Sequence, residues 1–278
     1  MDISVLDVVL RLFLGGVIGF CIGLSGIGGG VLVLPSLTLI LGLPASAAVG
    51  TANLYAFLTK ANASYHHVRL KTIDYSTTLL FLAGAIPADI IVSAGINRYV
   101  AHVQDNPAAW SAFQEGLRIF IVGTVLACVV LLVINLFRRK PAAGSSSCME
   151  RFTAKVPGGR ETLAVLLGVV VGGLIGSTSI GGGVLIVPML ILVFGLSPSR
   201  TVGTSIGIAV VLTLLSAIVY GTSGQLDVVT ALIMAVGSLL GVPAGSKLSV
   251  KLPARLLQGI VIAIILVAAA MMAFQQGH

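Results

Sequence analysis

The sequence predicts an all-α polytopic membrane protein made of two homologous repeats. Three observations predict it. Hydrophobic residues make up 57% of the chain and charged residues 9%, whereas a water-soluble domain carries about 25% charge. Several apolar runs approach the roughly 20 residues that span a bilayer as a helix, and no alternating ten-residue strands of a membrane barrel are present. Finally, residues 27–37 (IGGGVLVLPSL) recur at 180–190 (IGGGVLIVPML), an offset of 153 with eight of eleven positions identical. The same offset pairs Gly15, Gly19 and Gly23 with Gly168, Gly172 and Gly176, Val49-Gly50-Thr51 with Val202-Gly203-Thr204, and Asp74 with Asp227. An ungapped match of this length marks a duplication: a first repeat over 1–137, a basic linker over 138–160 and a second repeat over 161–278.

In order, an apolar run over 5–24 predicts the first helix. Its glycines, spaced by four, share one face and let another backbone approach closely. Ser25-Gly26-Ile27-Gly28-Gly29-Gly30 breaks it, since each glycine costs about 1 kcal/mol in a helix relative to Ala. The arm that follows, 31–41, is too short at about 1.5 Å per residue to cross the core alone. Spans are predicted at 47–65 and 73–94, joined by a polar connector, His66-His67-Val68-Arg69-Leu70-Lys71. A long polar loop is expected over 95–116, with Tyr99 and Trp110 at the interface, then a span over 117–137. The second half repeats the pattern: a run over 162–176, a break at Ser177-Thr178-Ser179-Ile180-Gly181-Gly182-Gly183, an arm over 184–194, and spans at 201–220, 227–246 and 255–274.

Each broken element is either one interrupted crossing, giving eight crossings in all, or a hairpin that turns at the glycines and inverts the second repeat. Six of the sixteen Lys and Arg lie between Arg138 and Arg160, which places the linker in the cytoplasm. The hairpin topology then also puts Arg69, Lys71, Arg200, Lys247, Lys251 and Arg255 inside, so it is preferred. The +7 formal charge is thereby loop bias, and no nucleic-acid partner is expected.

In the inverted arrangement the glycine tips meet near the midplane, as in secondary transporters with discontinuous helices. Arms starting after Gly30 and Gly183 would offer free N–H groups and positive helix ends to an anion, and glycine admits close backbone approach. The expected substrate-binding set is Ser25, Gly28, Gly29, Gly30, Thr51, Asn53, Thr178, Ser179, Gly181, Gly182, Gly183, Thr204 and Ser205. The plain alternative is close helix packing at the glycines, with Thr51, Asn53, Thr204 and Ser205 capping helices or bonding backbone. Lys60 and Asp89 lie inside apolar runs, where charge is costly and often functional. Lys60 can also snorkel, and Asp89 is expected near the outer end of its span, at the interface. His66 and His67 are expected in a solvated loop, and Asp74 and Asp227 at helix starts.

No catalytic residues, metal site or cofactor are expected. There is no His-Glu-x-x-His pattern, no paired intramembrane carboxylates and no P-loop, and Cys21, Cys128 and Cys148 lack metal or disulfide spacing. The paired GGGxLxxPxL segments (Gly28 to Leu37, Gly181 to Leu190) and the V-G-T elements at Val49 and Val202 resemble the sulfite exporter TauE/SafE family of bacterial membrane permeases. That resemblance implies a multi-pass inner-membrane transporter of sulfite, organosulfonates or other small anions, working in the lipid bilayer. Oligomeric state, transport direction and coupling ion are open at this level.

Overall fold

A computed structural model describes residues 4–25, 30–137, 159–180, 183, 185–249 and 263. Its helices are α1 (Val5–Ser25), α2 (Gly30–Pro35), α3 (Ala45–Arg69), α4 (Tyr75–Val103), α5 (Pro107–Phe137), α6 (Gly159–Thr178), α7 (Ile186–Phe194), α8 (Pro198–Thr222) and α9 (Val228–Ser249). No strand occurs among the described residues. The expected span over 255–274 apart from residue 263, and the linker apart from residues 159–160, lie outside the described residues.

Helix limits recur at the sequence offset. The ends of α1 and α6 (Ser25, Thr178), the ends of α3 and α8 (Arg69, Thr222), and the starts of α4 and α9 (Tyr75, Val228) are each 153 apart. The local chemistry that sets these limits recurs too. Asp74 caps α4 by accepting from Thr77 N at 3.3 Å, and Asp227 accepts from Thr230 N at 2.9 Å at the start of α9, each carboxylate facing a positive helix end. The first arm, α2 and the π-helical turn Ser36–Ile40, stops at Gly42 with φ +66° and a Leu43 N to Leu37 O bond of 3.0 Å. The second arm, α7, stops at Gly195 with φ +62° and a Leu196 N to Leu190 O bond of 3.3 Å. Both are glycine-terminated helix ends that need the left-handed region.

Helix pairing is crossed between the halves. A Cβ on Gly15 would overlap the backbone of Met234, and one on Gly19 would lie 2.7 Å from Ser238 Cα, so α1 lies on α9. At the same offset, a Cβ on Gly168 would overlap Phe81, and one on Gly172 would lie 2.7 Å from Ala85 Cα, so α6 lies on α4. The glycine stripes read from sequence are these two contacts. Such small-residue faces supply van der Waals packing between membrane helices, where the hydrophobic effect gives little.

The contact registers also fix helix directions. Numbers rise together along α1 and α9 (Gly15–Met234, Gly19–Ser238) and along α6 and α4 (Gly168–Phe81, Gly176–Asp89), so both pairs are parallel. Asp74 N bonds Thr204 Oγ1 (2.9 Å), Ser216 Oγ bonds Asp89 (2.5 Å) and Asn97 Nδ2 bonds Val219 O (2.9 Å), so α4 and α8 are parallel. Gly50 near the start of α3 meets Tyr220 near the end of α8, and Gly203 near the start of α8 meets Thr72 just past α3, so α3 and α8 are antiparallel. Asp227 N at the start of α9 bonds Thr51 Oγ1 (3.0 Å) in the first turns of α3. Tyr55 Oη donates to Gly15 O at 3.4 Å. Along α9, Asp227 sits by Thr51 and Met234 sits by Gly15, which meets Tyr55, so α3 rises with α9 and runs the same way as α1.

Two expectations are corrected here. Residues 95–116 are not a long loop: α4 runs on to Val103, α5 starts at Pro107, and only residues 104–106 join them. Polarity was a poor guide because nothing there breaks a helix before Asn106, whose Oδ1 accepts from Ala108 N and Ala109 N (3.2 and 3.3 Å) ahead of α5. Tyr99 and Phe113 then meet across the hairpin with ring centroids 5.0 Å apart. His66 and His67 are likewise in helix α3, not in a loop, and His67 Nδ1 lies 2.8 Å from Thr72 Oγ1.

Burial is inverted relative to a water-soluble domain. Leu240 and Val5 are about four-fifths exposed, while Thr51, Asn53, Asp89 and Thr204 are fully buried. Among the described residues, five helices are long and apolar enough to cross a membrane. Apolar surface facing out and polar groups facing in suit a lipid solvent, which cannot hydrate the latter.

Candidate functional site

The second break is described up to its tip. Thr178, the last residue of α6, donates to Leu174 O (2.6 Å) and accepts from Ile180 N (3.2 Å). Ser179 then adopts φ +55°, a conformation that costs a non-glycine residue about 1–2 kcal/mol. Its buried Oγ has no hydrogen-bond partner, and Gly183 is buried. At the first break α1 ends at Ser25 and α2 begins at Gly30. Gly28, Gly29, Gly181 and Gly182, with the side chain of Ser25, lie outside the described residues.

Thr51 and Thr204 hold matching positions. Each hydroxyl oxygen accepts the leading backbone N–H of the opposite half, from Asp227 (3.0 Å) and Asp74 (2.9 Å). These bonds satisfy helix-start donors and tie the halves together. Ser205 donates to Val202 O (2.9 Å). Asn53 differs from all three: it is fully buried, and neither its Oδ1 nor its Nδ2 has a partner. An unpaired buried amide costs about 1–3 kcal/mol per group, so among the described residues of the expected substrate-binding set, the Asn53 and Ser179 side chains keep hydrogen-bonding capacity free.

Asp89 is not at the interface. It is fully buried and is the middle residue of α4, which reaches well past the end expected for it. Its Oδ1 accepts from Ser216 Oγ of α8 at 2.5 Å, and its Oδ2 has no partner. A Cβ on Gly176, in the last turn of α6, would lie 2.9 Å from Oδ1, and Gly176 O accepts from Tyr220 Oη at 2.8 Å. The carboxyl thus sits against the helix that leads into the second break. Lys60 is half-buried in α3. Sequence reasoning missed Ser216, Tyr220, Ser93 and Asn97. A usable signal was present: Asp89, Ser93 and Asn97 are spaced by four, one polar stripe on an otherwise apolar helix.

A cavity of about 660 Å³ lies between the end of the first arm and α5, lined by Thr38, Pro44, Trp110, Gln114 and Arg118. The Nε of Arg118 is buried without a partner. Beside it, Ser46 Oγ donates to Gln225 Oε1 (2.7 Å) and accepts from Gln114 Nε2 (3.0 Å), which links α3, α5 and the turn before α9. Among the described residues no three His, Cys, Asp or Glu side chains group as a metal site would require.

Crossed apolar helices and polar groups sealed inside define a polytopic helical membrane protein, and its relatives place it among membrane transporters. The family model described as "Sulfite exporter TauE/SafE" matches residues 11–272, and the chain belongs to that family. It is similar to the probable membrane transporter protein YjnA of Bacillus subtilis, 32% identical over 92% of this chain and 96% of that protein. It is also similar to YunE of the same organism (25%, covering 89% and 90%) and to MJ0441 of Methanocaldococcus jannaschii (27%, covering 87% and 88%), both named probable membrane transporter proteins. No solved structure matches the chain.

Proposed function

We propose that this protein is a secondary transporter of a small anion, with sulfite, an organosulfonate or a related sulfur oxyanion as substrate, in the bacterial inner membrane. The observation that carries the reading is helix direction: α1, α3 and α9 run one way and α4, α6 and α8 the other. Matching helices of the two halves are therefore antiparallel. Each broken element is then a hairpin, and the two repeats, 1–137 and 161–278 about the linker 138–160, are inverted. This is the organisation expected of transporters that bind substrate at discontinuous helices.

The substrate sits between the two tips. Gly28, Gly29 and Gly30 with Ser25 form one side, and Gly181, Gly182 and Gly183 with Thr178 and Ser179 form the other. Backbone N–H groups at the arm starts and the free donors of Asn53 and Ser179 bind the oxyanion. Thr51, Thr204 and Ser205 hold the surrounding helices, and Lys60 supplies positive charge along the path. The family description supports sulfite, and the glycine-rich sequence at both breaks supports an anion.

The test is sulfite flux in proteoliposomes, with sulfate, small sulfonates, carboxylates and alkali cations as competitors. Flux blocked selectively by sulfur oxyanions is expected. Sulfite flux absent under every imposed potential and pH gradient removes the substrate assignment, and competition by cations alone removes the anion site.

A further inference from the structure

Asp89 is a buried carboxyl that binding of an anion does not need. An ionised carboxylate at this depth is expensive unless it is paired, and among the described residues no basic side chain forms an ion pair with it. One neutral hydroxyl, Ser216, reaches Oδ1 at 2.5 Å, and Oδ2 is sealed from solvent without a partner. The other ionisable group beside it is Tyr220 of α8, whose hydroxyl is committed to Gly176 O. On α6 the facing residue is Gly176, which carries no charge. Arg98 and His102 lie farther along α4 and are exposed.

A polar path leads away from this carboxyl. Asp89, Ser93 and Asn97 lie on one face of α4, each buried. Ser93 Oγ donates to Asp89 O (2.6 Å), and Asn97 Nδ2 donates to Val219 O (2.9 Å) while its Oδ1 has no partner. Asn97 also lines a cavity of about 370 Å³ with Arg98, Gln104, Val219, Thr222 and Ser223. The stripe therefore extends from the buried carboxyl toward a polar cavity at the end of α4 and α8. The offset gives no second copy of this apparatus: the positions 153 residues from Asp89, Ser216 and Tyr220 hold Val242, Ala63 and His67.

We propose that Asp89 is a proton-binding site that couples transport to the proton gradient, loaded from this cavity by water that enters along the polar face carrying Asn97 and Ser93. The proton is received on Oδ2, while Ser216 holds Oδ1. Coupling follows from position. Asp89 abuts the C-terminal turn of α6, where helix carbonyls concentrate partial negative charge. An ionised Asp89 repels that helix end and a protonated one does not, so proton binding biases where the second break sits. This deepens the transport reading and rests on it for its consequence, although proton binding itself can be tested without flux.

Infrared spectra of the purified protein in lipid bilayers, taken across pH, should show a carboxylic-acid C=O band at neutral pH that disappears in Asp89→Asn. In Ser216→Ala the band should remain with its titration midpoint moved. In proteoliposomes, a pH gradient should accelerate wild-type flux, and Asp89→Asn should lose that acceleration while retaining anion exchange at equal pH on both sides. A spectrum unchanged by Asp89→Asn, or full gradient dependence in that variant, overturns the proposal. Wild-type protein that carries no anion, yet shows the band and loses it in Asp89→Asn, leaves the proton site standing and removes the transport reading instead.

Discussion

Gly172 and Gly173 are neighbours on α6 with opposite surroundings. A Cβ on Gly172 would overlap Ala85 O and lie 2.7 Å from Ala85 Cα, whereas one on Gly173 would meet nothing nearer than Val92 Cγ2 at 3.7 Å. Carbon atoms pack best at about 3.5–4.0 Å, so Gly172→Ala must part α6 from α4 by roughly 1 Å against backbone that cannot rotate away. Overpacking of this kind costs about 1–3 kcal/mol. Alanine returns up to about 1 kcal/mol of helix propensity at either position. Gly172→Ala should therefore be destabilised by about 1–2 kcal/mol, roughly a tenfold change in folding equilibrium, and Gly173→Ala should be neutral or stabilised. Thermal unfolding in detergent, with both variants beside wild type, reads the difference. Equal shifts, or a stabilised Gly172→Ala, would refute the account of how α6 and α4 pack.

Three further outcomes are expected. Gly29→Val or Gly182→Val abolishes transport while membrane insertion, read by yield and monodispersity, persists; full flux in both would remove the tips from the site. Thr51→Val and Thr204→Val each leave a helix-start N–H without its acceptor and should lower stability by about 1–3 kcal/mol, seen as a lower unfolding temperature; unchanged temperatures would mean that the two crossed bonds carry no weight. Lys60→Gln raises the anion concentration needed for half-maximal flux, and an unchanged value returns Lys60 to an interfacial role.

The matched helix limits were legible because residues at the 153 offset do similar local work. The Gly42 and Gly195 stops, the Asp74 and Asp227 caps and the two glycine stripes all follow from residue type and spacing. The partners of those stripes were not legible. Periodicity names the face a helix buries, and says nothing about whether α1 turns to its own half or, as here, to α9. Asp89 was misjudged through a helix end: reading polar residues 95–116 as a loop cut α4 short and moved its middle residue toward the interface. Thr51 and Thr204 could be singled out, but their crossed bonds to Asp227 and Asp74 depend on helix directions that no local pattern encodes. At the tips, sequence gives the chemistry of Gly28, Gly29, Gly181 and Gly182, and their positions lie outside the described residues.

The proposed site requires each broken element to be a hairpin, with the two entering from opposite faces. With the three native cysteines replaced, single cysteines at Gly42 and Gly195, the stops of the two arms, can be labelled in intact cells with a membrane-impermeant thiol reagent. The account predicts that Gly42→Cys is labelled from outside and that Gly195→Cys reacts only after the membrane is opened. Labelling of both from outside would contradict it, because both arms would then complete crossings in the same direction and the tips could not face each other.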